Sequence, residues 1–240
     1  MTPTAVTGAA ASGRLALTFD DRHLGSWIAA RPLLDAVGAR ATFFLVEADL
    51  LEDEEQRAVR TLLADGHRIG SHGARHRNAD EAIARSGAED YLAQEIAPSV
   101  AALTALGASA RTFAYPNSRR DDASDDALLG VFDRLRGGGP RGLDPVEAGH
   151  AVLPSGSAER VHPSRGIDTG CGPRAHPADS AVLSALLRTL AEDGGSLVLY
   201  AHDVAPASDA NHIHPDRLRQ VLAEAAGLGL DLVGMDDLAA

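Results

Sequence analysis

With a single cysteine, Cys171, among 240 residues, no intrachain disulfide can form; the fold does not rest on a disulfide framework, and the composition suits a reducing compartment. Basic side chains are the scarcer sign. Against 34 Asp and Glu stand 22 Lys and Arg, and the formal net charge of -12 repels phosphate backbones and anionic membrane surfaces, which argues against a nucleic-acid partner. No stretch approaches the roughly 18 uninterrupted apolar residues of a membrane span. The opening MTPTAVTGAAASG lacks the basic leading region and the long apolar run of a secretory signal, so the expected location is cytoplasmic. Internal repeats and low-complexity tracts are lacking as well, which excludes solenoids and fibrous arrays.

What is present suits an α/β domain, a chain of this length being able to bury roughly three-quarters of its unfolded surface. Short apolar runs, RLALTF at 14–19, ATFFLV at 41–46, TFAYP at 112–116 and SLVLYA at 196–201, predict buried strands, being brief and β-branched or aromatic. Between them, apolar residues recur at helical spacing over Trp27 to Val37, Glu54 to Ala64, Tyr91 to Leu106, Ala181 to Leu190 and Leu218 to Ala226. Alternation of this kind implies right-handed βαβ crossovers and a mainly parallel sheet, open or closed into a barrel. From Arg136 to Pro177 the rhythm breaks in a Gly- and Pro-rich stretch, read as a loop-rich insertion. The expected organisation is an N-terminal tail over 1–13 followed by one domain over 14–240.

Four places could carry chemistry. In Thr18-Phe19-Asp20-Asp21 an apolar strand ends in adjacent carboxylates, whose mutual repulsion favours a bound cation and suits a metal ligand beside a general base; a solvated turn is the bland alternative. In Ser71-His72-Gly73-Ala74-Arg75-His76 two histidines four apart would project from one face of a helical turn, Cβ atoms roughly 5–6 Å apart, within reach of one ion. Two surface histidines in a polar loop would give the same spacing. The strand through Thr112 runs into Tyr115-Pro116-Asn117-Ser118, a Pro-anchored turn able to present a backbone N–H to an oxyanion, or simply a turn. Leu199-Tyr200-Ala201-His202-Asp203 again ends a strand in a titratable group, fit to donate a proton to a leaving group or to serve structure alone. Asp20, Asp21, His72, Pro116 and His202 all fall at the carboxyl ends of expected strands, where parallel α/β folds build their active sites. Two histidines and an aspartate also leave a coordination position open for water, as catalytic zinc-type sites do.

Taken in order, TFDD, SHGARH, FAYPNS and LYAHD resemble the motifs of the polysaccharide deacetylases, the carbohydrate esterases of family 4 that share the NodB-homology domain. The resemblance spans roughly residues 14 to 240. It implies an α/β fold, a distorted (β/α) barrel with a mainly parallel sheet of about seven strands. It further implies a divalent metal, usually zinc, held by Asp21, His72 and His76 in a groove at the strand ends, with Asp20 as general base and His202 as general acid. Tyr115, Pro116 and the Asn117 backbone N–H would face the substrate and its oxyanion. The activity implied is hydrolysis of the acetamide of an N-acetylated sugar to acetate and an amino sugar. Small non-sugar amides are the alternative substrates within the superfamily, and a non-catalytic carbohydrate-binding relative is the alternative of another class.

Departures from the family pattern are also visible. Ala114 stands where many members place an arginine that orients the base, leaving that role vacant or filled elsewhere. No Asp-Trp segment matches the family's, so the partner that tunes His202 is unassigned; Asp168, in SRGIDTG, is a candidate beside the reading of an ordinary loop aspartate. Trp27 is core or groove wall, His23 a possible substrate contact. Asn211, His212 and His214 either line the groove or form a loop before a helix that begins near Pro215.

Overall fold

The structure is a computed structural model that describes residues 13–169 and 177–238; Cys171 and residues 1–12 of the expected tail lie outside the described residues. Strands β1 (Arg14–Asp21), β2 (Thr42–Leu45), β3 (Arg68–Ser71), β4 (Thr112–Ala114) and β5 (Arg134–Arg136) lie side by side in sequence order, all parallel. Helices α1 (Leu24–Asp35), α2 (Asp53–Ala64), α3 (Ala79–Ser86), α4 (Ala88–Tyr91), α5 (Ala97–Ala105) and α6 (Asp122–Leu129) make the crossovers between them. There follow α7 (Pro145–Gly149) and the short strands β6 (Val152–Leu153), β7 (Val161–His162) and β8 (Ser164–Gly166). Helix α8 (Pro177–Asp193) leads into β9 (Ser196–Ala201), which pairs along nearly its whole length with β1. A small ribbon of β10 (Asp203–Val204) and β11 (His212–Ile213), helix α9 (Pro215–Gly227) and β12 (Asp231–Val233) complete the chain, β12 pairing with the first residues of β1.

Closure comes from β7 and β8. The first pairs with β5 and the second with β9, with only Pro163 between them, so one extended stretch carries the sheet round to its starting strand. Proline fits that junction because it has no N–H to offer a ladder. The staves of the resulting (β/α) barrel are β1, β2, β3, β4, β5, the β7–β8 stretch and β9, as the expectation of about seven mainly parallel strands required. The segment from Arg136 to Pro177, read as loop-rich, therefore contributes a stave. Its strands are two or three residues long and contain Arg, His and Gly, so no apolar run announces them; neighbouring strands supply the pairing that local propensity does not.

Alternation along the strands separates two environments. Leu15, Leu17 and Phe19 of β1 face outward into the main core beneath the helices. Ala16 faces inward, packed with Phe44, Ala114, Val198, Met235 and Leu238, and the period of two sends Thr18 and Asp20 the same way. Small residues open this interior: a Cβ on Gly70 would lie 2.5 Å from the Phe44 ring. The Arg136 guanidinium lies in the same interior, 5.5 Å from the ring centre of Phe44 and 4.8 Å from that of Tyr200. Every strand that bears a candidate residue delivers it at its carboxyl end, so all of them meet at one mouth of the barrel.

Candidate active site

Asp21 is the last residue of β1, and its φ of 79° breaks the strand and turns its side chain away from the direction the pleat would impose. His72 follows the last residue of β3 and is buried. Its Nδ1 donates to the Ala114 carbonyl at 2.8 Å, which leaves the Nε2 lone pair facing the mouth. Burial, followed by the neighbouring His76, pushes the His72 pKa down to about 3, so the imidazole is neutral and able to ligate. Residues 72–76 are not the helical turn that the four-residue spacing suggested: the segment is a loop with Gly73 at φ 83° and His76 at φ 55°. The two imidazoles nevertheless converge. The Nε2 atoms of His72 and His76 lie 3.1 Å apart, and Asp21 Oδ1 lies 3.6 Å and 3.5 Å from them respectively. A tetrahedral zinc with bonds of roughly 2.0–2.1 Å requires donor separations of roughly 3.3 Å. The three edges bracket that value, so these residues fit a divalent cation.

Asp20, one residue earlier, points into the barrel and is buried. Its Oδ2 accepts from Arg136 Nη2 at 2.7 Å, while Oδ1 has no hydrogen-bond partner. Arg136 occupies the end of β5 in direct register with Ala114 on β4. The guanidinium that Ala114 cannot supply thus arrives from the adjacent strand, and the methyl of Ala114 leaves the room it crosses. Nothing in FDRLRGGG distinguishes Arg136 from a surface arginine; only barrel closure shows its direction.

His202, immediately after β9, places Nε2 4.0 Å from Asp20 Oδ2. Its Nδ1 bonds Asp168 Oδ2 at 2.8 Å, and its backbone N–H donates to Asp168 Oδ1 at 3.1 Å. The candidate Asp168 is therefore a bidentate partner of His202, carried there by the stave built from β7 and β8. Burial alone lowers the His202 pKa, but the Asp168 hydrogen bond and the charges of Asp20, Asp168 and Asp21 outweigh it and the net direction is upward. Trp27 belongs to the core, fully buried, and its Nε1 donates to the His202 carbonyl at 3.0 Å, fixing the backbone that carries the imidazole.

After β4, residues Pro116–Ser118 form a tight turn with Asn117 at φ 54° and Ser118 at φ 57°. Pro116 is buried, and Tyr115, which lines the groove, donates its hydroxyl to Asp125 Oδ1 at 2.7 Å. Asn117, Ser118, Arg141, Tyr200 and Asn211 join the catalytic candidates around a polar groove of about 330 Å³. His23 lies beside the other Asp21 oxygen, at 3.9 Å. His214 caps α9 by accepting the Asp216 N–H at 3.1 Å, with Pro215 in the first turn, so the helix alternative holds for this segment while Asn211 reaches the groove.

Solved structures with the same fold include a family 4 carbohydrate esterase from Streptomyces lividans in complex with acetate, at 17% identity and TM-score 0.54, covering 91% of this chain and 88% of that one. The peptidoglycan deacetylase PdaC from Bacillus subtilis, as a mutant, matches at 13% identity and TM-score 0.57 over 95% and 91% of the two chains. A family 4 pseudoenzyme from Bacillus anthracis matches at 13% identity and TM-score 0.60 over 96% of this chain and 66% of that one. At such identities the likeness shows the fold. No curated protein matches the chain. The family model for polysaccharide deacetylases matches residues 7–130, just over half of the 240, and this chain belongs to the polysaccharide deacetylase family.

Proposed function

We propose that the protein is a metal-dependent hydrolase that removes acetyl groups from N-acetylated sugars. The observation that carries this reading is the pairing of a carboxylate that has one oxygen unpartnered, Asp20, with an imidazole of raised pKa, His202, 4.0 Å away and beside a triangle of metal donors. Asp21, His72 and His76 would hold the cation, for which two imidazoles and one carboxylate favour zinc. When bound, it supplies Lewis-acid polarisation of the acetyl carbonyl and lowers the pKa of water. Asp20 Oδ1 takes the proton of the attacking water, while Arg136 keeps Oδ2 from rotating into its place. The Asn117 backbone N–H is the protein's donor to the carbonyl oxygen as charge develops, with Tyr115 and Pro116 supporting that turn. His202, charged and held by Asp168, gives its Nε2 proton to the sugar nitrogen as the C–N bond breaks, so that the amine leaves neutral. Acetate and an amino sugar result.

Structural likeness to a pseudoenzyme raises a non-catalytic reading. Retention of both proton-transfer groups, each with its own buried partner, favours catalysis. Acetate release from N-acetylglucosamine oligomers, peptidoglycan fragments and small acetamides, each with and without chelator, tests the proposal. Release from sugars that chelation abolishes and zinc restores is expected. Release unaffected by chelation would overturn the metal mechanism, release from small acetamides alone would favour the non-sugar reading, and silence on all three would favour the non-catalytic one.

A further inference from the structure

Glu95 is fully buried, and among the described residues no arginine or histidine side chain bonds it. It sits in a π-helical turn, Leu92–Ile96, that joins α4 to α5. Such turns distort the helical hydrogen-bond ladder and occur frequently at functional sites. Here the turn sets Glu95 beneath the loop that follows β3. Its Oε1 accepts the N–H of Arg75 at 2.8 Å and the N–H of Arg77 at 3.0 Å, the residues on either side of His76. The Ala74 N–H donates to the Glu95 carbonyl at 3.0 Å, so the loop is fastened at three points, residues 74, 75 and 77. His76 itself is held at φ 55°, where a side-chain-bearing residue pays about 1 kcal/mol or more. On the other flank a Cβ on Gly73 would fall 2.4 Å from Oε1, so the carboxylate fits only because residue 73 is glycine. The second oxygen, Oε2, is buried without a hydrogen-bond partner. A carboxylate left half-satisfied in the interior costs free energy that its contacts must offset, and the contacts present are those to the His76 loop.

We propose that Glu95 is a positioning residue of the metal site: by holding the amides on both sides of His76 it keeps that residue left-handed and aims its Nε2 at His72 and Asp21. The inference rests on the reading of Asp21, His72 and His76 as metal ligands. It makes geometry, not the negative charge of Glu95, the operative feature, because Asp21 already supplies the anionic ligand.

Zinc titration of the full-length chain against a chromophoric chelator, together with the visible spectrum of the cobalt(II)-loaded protein, tests this on wild type, Glu95→Gln, Glu95→Asp and Glu95→Ala. Glu95→Gln retains an oxygen acceptor at the same reach and is expected to bind zinc as wild type does. Glu95→Asp keeps the charge but falls one methylene short of the two amides, and is expected to lose roughly 10–100-fold in affinity, with an altered cobalt spectrum. Glu95→Ala is expected to lose at least as much, and should it fail to fold, the aspartate variant carries the test alone. Wild-type affinity in the aspartate variant would overturn the proposal, as would an equal loss in Glu95→Gln. Absence of zinc binding by wild type would instead overturn the metal-site reading itself.

Discussion

Asp20 and Asp21 are neighbours in sequence but belong to halves of the groove that are built differently. Asp20 and its counterpart His202 stand on strand ends, each tied to a buried partner, Arg136 or Asp168, that comes from another stave. Asp21 and His76 stand at positive φ and more open to solvent, and the loop that carries His76 is fastened by the helical turn at Glu95. The proposed proton-transfer pair is held by barrel closure, whereas two of the three proposed metal ligands depend on local turns and only His72 is buried at a strand end. Binding a cation can itself draw flexible ligands into place, whereas proton transfer needs its groups set beforehand. The rigid scaffold is therefore spent where preorganisation counts most.

Breaking the proton-transfer half should have the largest effect. Asp20→Asn is expected to keep its metal, as measured by bound zinc, and to lose roughly 10²–10⁴-fold in acetate release. It should also lower thermal stability, since removing one partner of a buried ion pair costs roughly 3–5 kcal/mol. His202→Ala should be slowed roughly 10²-fold or more on acetamides and much less on activated aryl acetates, whose leaving groups need little protonation; equal losses on both would remove the general-acid role. The strand-to-strand transfer of the arginine can be reversed: Arg136→Ala should abolish most activity, and adding Ala114→Arg should restore part of it, because the two positions are register partners facing the same interior. Failure of that rescue would show that the approach from β5 matters in its own right.

A smaller effect is expected in the pH profile. The His202 pKa is raised, so the acid form persists above the ordinary imidazole range and activity declines as pH rises through the folded-state value. The same sign applies to stability: the His202 contribution is present below the unfolded pKa and fades through the raised one. Asp168→Asn removes the largest raising interaction and leaves burial opposed only by the charges of Asp20 and Asp21; the alkaline limb of kcat should move to lower pH, and an unmoved limb would detach Asp168 from the titration.

Residue chemistry and strand position were legible in the chain alone. TFDD, FAYPNS and LYAHD could be read as strand-end motifs because the preceding runs are apolar and short, and β1, β4 and β9 form there, as β2 does at ATFFLV; β3, before SHGARH, has no such run to announce it. Illegible were Arg136, Glu95 and the certainty of Asp168, each lying far in sequence from the group it serves and in a local context that any surface residue could share. By itself the sequence determined which functional groups exist and that they gather at the carboxyl ends of parallel strands, since alternating apolar periods dictate that topology. Which buried partner holds which group was decided by tertiary structure alone, because it depends on a stave of two- and three-residue strands that have no stable conformation until β5 and β9 pair with them.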